Sequence, residues 1–355
     1  RLFFAFRKDN ANTPIDNYGY TYDDGDNLTQ QIHTGSASDT WVYGYNNANE
    51  QTSMTLNGGT PETRTYDAWG RLATRTQGTY SAAYGYRYGG KQYSLTSNFP
   101  GEGNLTLQYR GDGRLYSRTD AAATTVYRYD RGWNPILEEN SGGAVTAAQI
   151  YRPGTSRGEV LARCYSGALN TPVVEAYHDQ LGSVRAWRLG TLAVQRDEFE
   201  PYGKVYSTNS IINLPPTFAL HPFDPAAQAY RAPYRMYSPA MARWTTEDPL
   251  GMIDGPNVYG YVKEDPVNGF DVFGMECCTT VQKISYSARA ALSCSMCVLS
   301  TGQAAASCLN CATCLLAAGG PESPFAALCT TTHHLLVFFR RKSCDQLRKL
   351  FNMNS

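Results

Sequence analysis

Side chains able to do chemistry concentrate in a few parts of this 355-residue chain. One is Arg235 to Met275, where carboxylates come in short units: Glu247-Asp248-Pro249-Leu250-Gly251, Asp265-Pro266 and Asp271-Val272-Phe273-Gly274. On residue types alone, Asp-Pro and Asp-x-x-Gly are turn formers, and Arg235 is a strand-edge partner for an acid. Another is the stretch after Met275, which holds nine of the ten cysteines. There Cys294-x-x-Cys297 and Cys308-x-x-Cys311-x-x-Cys314, with His333 or His334, have spacings that zinc accepts. Two smaller clusters invite over-reading. Asp23, Asp24 and Asp26 around Gly25 lack the ligand spacing and closing Glu of a calcium loop, and read as a solvated turn. His178-Asp179 has no Ser or Cys nucleophile beside it and reads as a turn after a strand.

The elements that must position these groups are strands. Tyr at 26 and Gly at 32 favour many short strands joined by turns over a helical bundle. Tyrosines recur at Tyr22, Tyr45, Tyr66, Tyr88, Tyr109, Tyr129, Tyr151 and Tyr177, with gaps of 20 to 26 residues. Behind most of them comes a turn and another short strand, as in YDDGDNLTQ, YDAWGRLAT and YDRGWNPIL. Alternation at period two on both sides of such a turn is the hairpin pattern. A two-stranded ribbon cannot bury its own aromatic face, so successive hairpins are expected to stack into one long, spiralling antiparallel sheet. The fold class is therefore mainly β. Residues 208–234 are proline-rich, break the period and read as an irregular connector, with Asp224-Pro225 opening a turn.

The repeat resembles the YD repeats of Rhs proteins, teneurins and the C components of insecticidal toxin complexes. The likeness covers roughly residues 15–207 and implies a hollow β-shell enclosing a C-terminal polypeptide. Eight repeats fall short of a full shell, and the chain begins without Met, so a missing N-terminal part is expected. The ordered series from Arg235-Met236-Tyr237-Ser238-Pro239 to Asp271-Val272-Phe273-Gly274-Met275 closely resembles the Rhs-associated core domain. It passes through Arg243-Trp244, Asp248-Pro249-Leu250-Gly251, Asn257-Val258-Tyr259-Gly260-Tyr261 and Val267-Asn268. That core cleaves its own backbone by aspartyl-protease-like chemistry just after the terminal Gly-Leu or Gly-Met. Carried over, the resemblance implies Asp248 and Asp271 as the acid pair, Arg235 as their assistant, and scission between Met275 and Glu276. The chemistry is reasonable, because two carboxylates held close cannot both ionise. Which of them is acid and which is base stays open. Three departures from the family pattern stand out: Val272 for Pro, Ala242 for Gly, and Asp265 for Asn.

Domains are expected at 1–207 (repeats), 208–275 (core) and 276–355 (variable tail). The tail carries 7 basic and 3 acidic residues against 24 and 28 in the first 275, which suits a basic tail inside an acidic shell. Helices are expected over about 282–300, 303–318 and 324–350. For the cysteines, apolar packing, disulfides and zinc all remain open, although no metal or other cofactor is assigned. Ala290 to Pro321 is free of charge, but Ser, Thr, Gln and Asn interrupt it, so membrane insertion stays unsettled. Nucleic-acid binding is not indicated. The resemblance further implies a secreted or surface-borne bacterial protein with its own tail as cargo, a secretion apparatus and a cognate immunity protein as partners. The alternative is a wall-associated repeat protein that binds through its tyrosine-rich sheet and does not cut itself.

Overall fold

A computed structural model describes residues 1–9, 11–87, 89–154, 157–165 and 173–275. The helices, cysteine sites and membrane segment expected after Met275 lie outside the described residues. Among the described residues the chain is almost wholly β: nineteen strands join one sheet and five shorter ones form a second. Two compact units divide it. Residues 1–108, 198–206 and 215–275 belong to the first, and residues 109–197 and 207–214 to the second.

The first unit shows why the repeat has its period. Strand Pro14–Tyr22 pairs with Leu28–Thr34, Asp39–Tyr45 with Gln51–Leu56, Glu62–Tyr66 with Leu72–Gln77, and Tyr80–Tyr86 with Gln92–Ser97, all antiparallel. In each pair the register slips at the last residue of the first strand, namely Tyr22, Tyr45, Tyr66 and Tyr86. The slip is a β-bulge, which bends the strand and redirects one side chain. The redirected phenol reaches back one hairpin. Tyr45 donates to the Leu28 carbonyl at 2.7 Å, Tyr66 to Gln51 at 3.2 Å and Tyr86 to Leu72 at 2.9 Å. The anchor of the fourth hairpin is therefore Tyr86 and not Tyr88, which lies outside the described residues. Counting tyrosines alone cannot separate two candidates two residues apart, because only the bulge marks the anchor.

The turns behind these anchors share one device. The Asp67 Oδ1 accepts the amides of Trp69 and Arg71, and Asn46 Oδ1 accepts those of Ala48 and Glu50. Asp23 Oδ1 likewise accepts the Asn27 amide at 2.8 Å. That carboxylate closes a turn, and no His/Cys/Asp/Glu group suited to a metal occurs among the described residues. Tyr18, Tyr20, Leu28, Tyr43 and Met54 turn inward and pack with Tyr202 and Ala242.

The second unit repeats the scheme. Strands Thr124–Tyr129, Val145–Tyr151 and Val174–His178 carry bulges at Tyr129, Tyr151 and His178. His178 thus occupies the anchor position that was expected at Tyr177. Asp179 Oδ1 accepts the amides of Leu181 and Ser183, so His178-Asp179 is this repeat's own anchor and turn. Val160, Val174, Val184, Trp187 and Val194 form the local core.

The connector over 208–234 is more ordered than its prolines suggest. Strands Thr217–Phe218, His221–Asp224 and Ala229–Arg231 lie in it, and with Met236–Ser238 and Arg243–Trp244 they build the five-stranded sheet. Strands of two to four residues, one of them running through Pro222, are too short for the period-two signal to show. Asp224-Pro225 does open a turn, with Asp224 Oδ1 accepting the Ala226 amide. The glue of this sheet is aromatic: Phe218, Tyr230, Tyr237, Trp244 and Tyr261 are nearly all fully buried and in mutual ring contact. Each such ring pair contributes about 1 kcal/mol beyond its buried area.

Candidate self-cleavage site

Arg235 leads into strand Met236–Ser238, which places its side chain beside the aromatic core. The guanidinium lies over the Trp244 ring, 4.4 Å from its centre. It is buried, and its hydrogen bonds run in several directions. Nη2 meets Asp248 Oδ2 at 2.5 Å and Asp271 Oδ2 at 3.3 Å. Nη1 donates to the Val258 carbonyl at 3.2 Å, and Nε donates to the Gly274 carbonyl at 2.5 Å. One planar cation therefore touches two acids distant in sequence together with the backbone just before Met275. The fork geometry of Arg is what allows this.

Each acid sits in an Asp-x-x-Gly turn of the kind found in the repeats. Asp248 Oδ1 accepts the Leu250 amide at 2.7 Å, and the Gly251 amide closes on the Asp248 carbonyl. Asp271 Oδ1 accepts the amides of Phe273, Gly274 and Met275 at 3.2, 2.9 and 3.1 Å. Gly251 and Gly274 have φ of 70° and 72°, the left-handed region where a glycine is needed. The turn uses one carboxylate oxygen, and the other is turned toward Arg235. Turn formation and contact with the arginine are thus divided between the two oxygens of one side chain.

This arrangement fixes the peptide that precedes the expected cut. The Gly274 carbonyl is held by Arg235, and the Met275 amide is held by Asp271. Gly274 itself cannot carry a side chain without disturbance, because a Cβ there would approach the Ala232 Cβ to 2.9 Å and the Arg235 nitrogen to 3.2 Å. Gly274→Ala should slow any cleavage by about tenfold or more, since small displacements of a reacting group are expensive in rate. A time course of fragment appearance on a denaturing gel checks this.

Electrostatics separates the two acids. Complete burial pushes the Asp271 carboxyl above the ordinary Asp range, Arg235 and the turn amides pull it back, and the charge on Asp248 adds to the rise. Asp248 takes the short contact to Arg235, and Asp271 the long one.

Sequence reasoning missed two supports. His221, fully buried, has Nε2 2.7 Å from the carbonyl oxygen of Asp271. Lys91 Nζ donates to the Pro233 carbonyl at 2.7 Å and lies over the Tyr234 ring, steadying the loop that leads to Arg235. A lone His among prolines and a Lys in a distant repeat carry no signal of either contact. Two of the three departures from the family pattern have local accounts. Ala242 sits at φ 56°, where the usual glycine would be unstrained. Asp265 accepts the Asn268 side-chain amide at 2.9 and 3.1 Å, closing a turn of its own.

No family model matches the chain. Among curated proteins it is similar to the double-stranded DNA deaminase toxin A of Burkholderia cenocepacia (strain H111). Identity is 26% over 223 residues, which is 61% of this chain and 14% of that protein. The chain thus spans a small fraction of that relative's length. Among solved structures it is similar to the TcdB2-TccC3-Cdc42 crystal structure, with 18% identity, TM-score 0.44, and coverage of 78% of this chain and 18% of that one. The structure of the Photorhabdus luminescens Tc holotoxin pore gives 16% identity, TM-score 0.44, and coverage of 79% and 18%.

Proposed function

We propose that this chain is a stretch of an Rhs/YD-repeat protein that encloses a C-terminal polypeptide and frees it by cutting itself between Met275 and Glu276. In this reading residues 1–207 belong to a shell, residues 208–275 form the cutting core, and residues 276–355 are the cargo. The observation that carries it is the Arg235 guanidinium touching Asp248, Asp271 and the Gly274 carbonyl together.

The reaction is hydrolysis of one peptide bond. The ionised Asp248 takes a proton from a water molecule as its oxygen adds to the Met275 carbonyl carbon. Asp271 gives its proton to the carbonyl oxygen, so no full negative charge builds up there. Collapse of the tetrahedral centre breaks the C–N bond as the proton held by Asp248 passes to the Glu276 nitrogen and a hydroxyl proton of the centre returns to Asp271, leaving a Met275 carboxyl group and a free Glu276 amine. Arg235 pairs with Asp248 and holds the preceding peptide still. The work is done once per chain. The similar curated protein is a bacterial toxin, which supports a secreted, effector-delivering role, with a secretion apparatus and an immunity protein as the partners such a role requires.

Intact mass of the purified full chain, with N-terminal sequencing of the small piece, tests the proposal. The expected result is two species, the smaller beginning at Glu276. A single uncut chain would instead favour a repeat protein that binds through its sheet.

A further inference from the structure

We infer that His221 is a positioning residue for the cleavage proposed above, on which the inference rests: it fixes the backbone of Asp271 so that the acid and the scissile peptide keep their alignment.

The side-chain bonds of Asp271 are mostly internal to its own turn. Oδ1 binds three amides from residues 273–275, and these would travel with the turn if it shifted. Alignment with Asp248 needs ties from the turn to the fixed core. Three hydrogen bonds to the turn's carbonyls supply them, one being that from Arg235 Nε to Gly274. The Tyr234 amide donates to the Phe273 carbonyl at 3.0 Å, and His221 Nε2 reaches the Asp271 carbonyl at 2.7 Å. A carbonyl oxygen only accepts, so the His221 nitrogen facing it carries the hydrogen.

His221 is suited to this task by where it stands. It opens strand His221–Asp224 and is 0% exposed. Its ring meets Trp244 edge-on, with centres 6.1 Å apart and planes at 73°. Trp244 is also the ring beneath Arg235. His221 therefore ties the backbone of one acid to the same aromatic plate that supports the cation of both. A shift of Asp271 of about 1 Å is enough to change the rate by about a hundredfold in positioned reactions.

The test uses the full chain with two substitutions. His221→Phe keeps a ring against Trp244 and removes the donor, whereas His221→Gln keeps a donor at similar reach. Cleavage is timed by the appearance of the fragment beginning at Glu276. Each substitution is also placed in an uncut Asp271→Asn background, and amide hydrogen exchange is followed over residues 271–275. The expected result is cleavage about 10- to 100-fold slower for His221→Phe, with His221→Gln restored to within about threefold of the unaltered chain. Exchange at Phe273, Gly274 and Met275 should quicken with Phe and not with Gln. Wild-type cleavage in His221→Phe overturns the inference, as does a Gln variant as slow as the Phe variant. An uncut wild-type chain overturns the cleavage reading itself and this role with it, and the exchange data then still report whether His221 holds the turn.

Discussion

With Asn in place of Asp271, the chain stays in one piece. The amide oxygen of Asn can still accept the Phe273, Gly274 and Met275 amides, so the turn survives while the transferable proton is lost. The rate should fall by about 10²–10⁴-fold, the usual share of general acid–base catalysis. Asp248→Asn should do the same for the opposite reason, removing the base and keeping the acceptor for Leu250. Ala at either position would lose the turn as well, and could not separate chemistry from shape. The pH dependence follows from burial of Asp271. Its carboxyl titrates above the ordinary value of about 3.9, and the proposed cleavage uses its protonated form. Cleavage should therefore decline as pH rises through that raised value. Stability follows the same sign: what the protonated group contributes is complete below the unfolded value and is lost as pH climbs through the folded one. An asparagine side chain does not ionise, so the Asp271→Asn variant should gain stability relative to the unaltered chain as pH increases. Mass spectrometry across a pH series and thermal melts of the Asn variant check both.

The second large effect is expected at Arg235. Replacing it by Met leaves Asp248 and Asp271 in a buried site without their shared cation, and breaking a buried ion pair in this way costs about 3–5 kcal/mol. Lys is the more instructive substitution. It keeps the charge, but a single ammonium cannot reach Asp248, Asp271, the Val258 carbonyl and the Gly274 carbonyl in one plane. Arg235→Lys should fold, melt several degrees lower, and cleave about 10²-fold more slowly, because the Gly274–Met275 peptide is no longer held. Comparing melts of Arg235→Lys/Asp271→Asn with Asp271→Asn keeps both samples uncut. Wild-type cleavage by the Lys variant would show that charge alone suffices and that the fork is irrelevant.

Much of this was legible in the residues, for uneven reasons. The hairpin repeat is written twice, as alternation and as turn chemistry, so mainly β architecture follows from it. The exact anchor is written only in the bulge, a backbone event, and hence Tyr86 and His178 take the places expected of Tyr88 and Tyr177. The strands within 217–231 were hidden by their shortness. At the candidate site, Asp248 and Asp271 are the turn formers their residue types imply, and they also meet at one arginine. Each aspartate is a turn former through one oxygen and a partner of Arg235 through the other. His221 could not be found beforehand. Its contact is with a backbone carbonyl fifty residues away, and a carbonyl has no letter in the sequence.

The division of labour within these aspartates bears on how such a site could arise. A repeat can already own half of it: Asp67, for example, closes its turn with Oδ1 and offers Oδ2 to Arg71 at 2.7 Å. With one acid to one neighbouring base, that loop is inert. Bring a second loop's spare oxygen to the same cation and a hinge acquires an edge. A protein assembled from copies of one loop would thus stand a short mutational step from severing itself, and selection on the remaining copies would act to keep their spare oxygens apart.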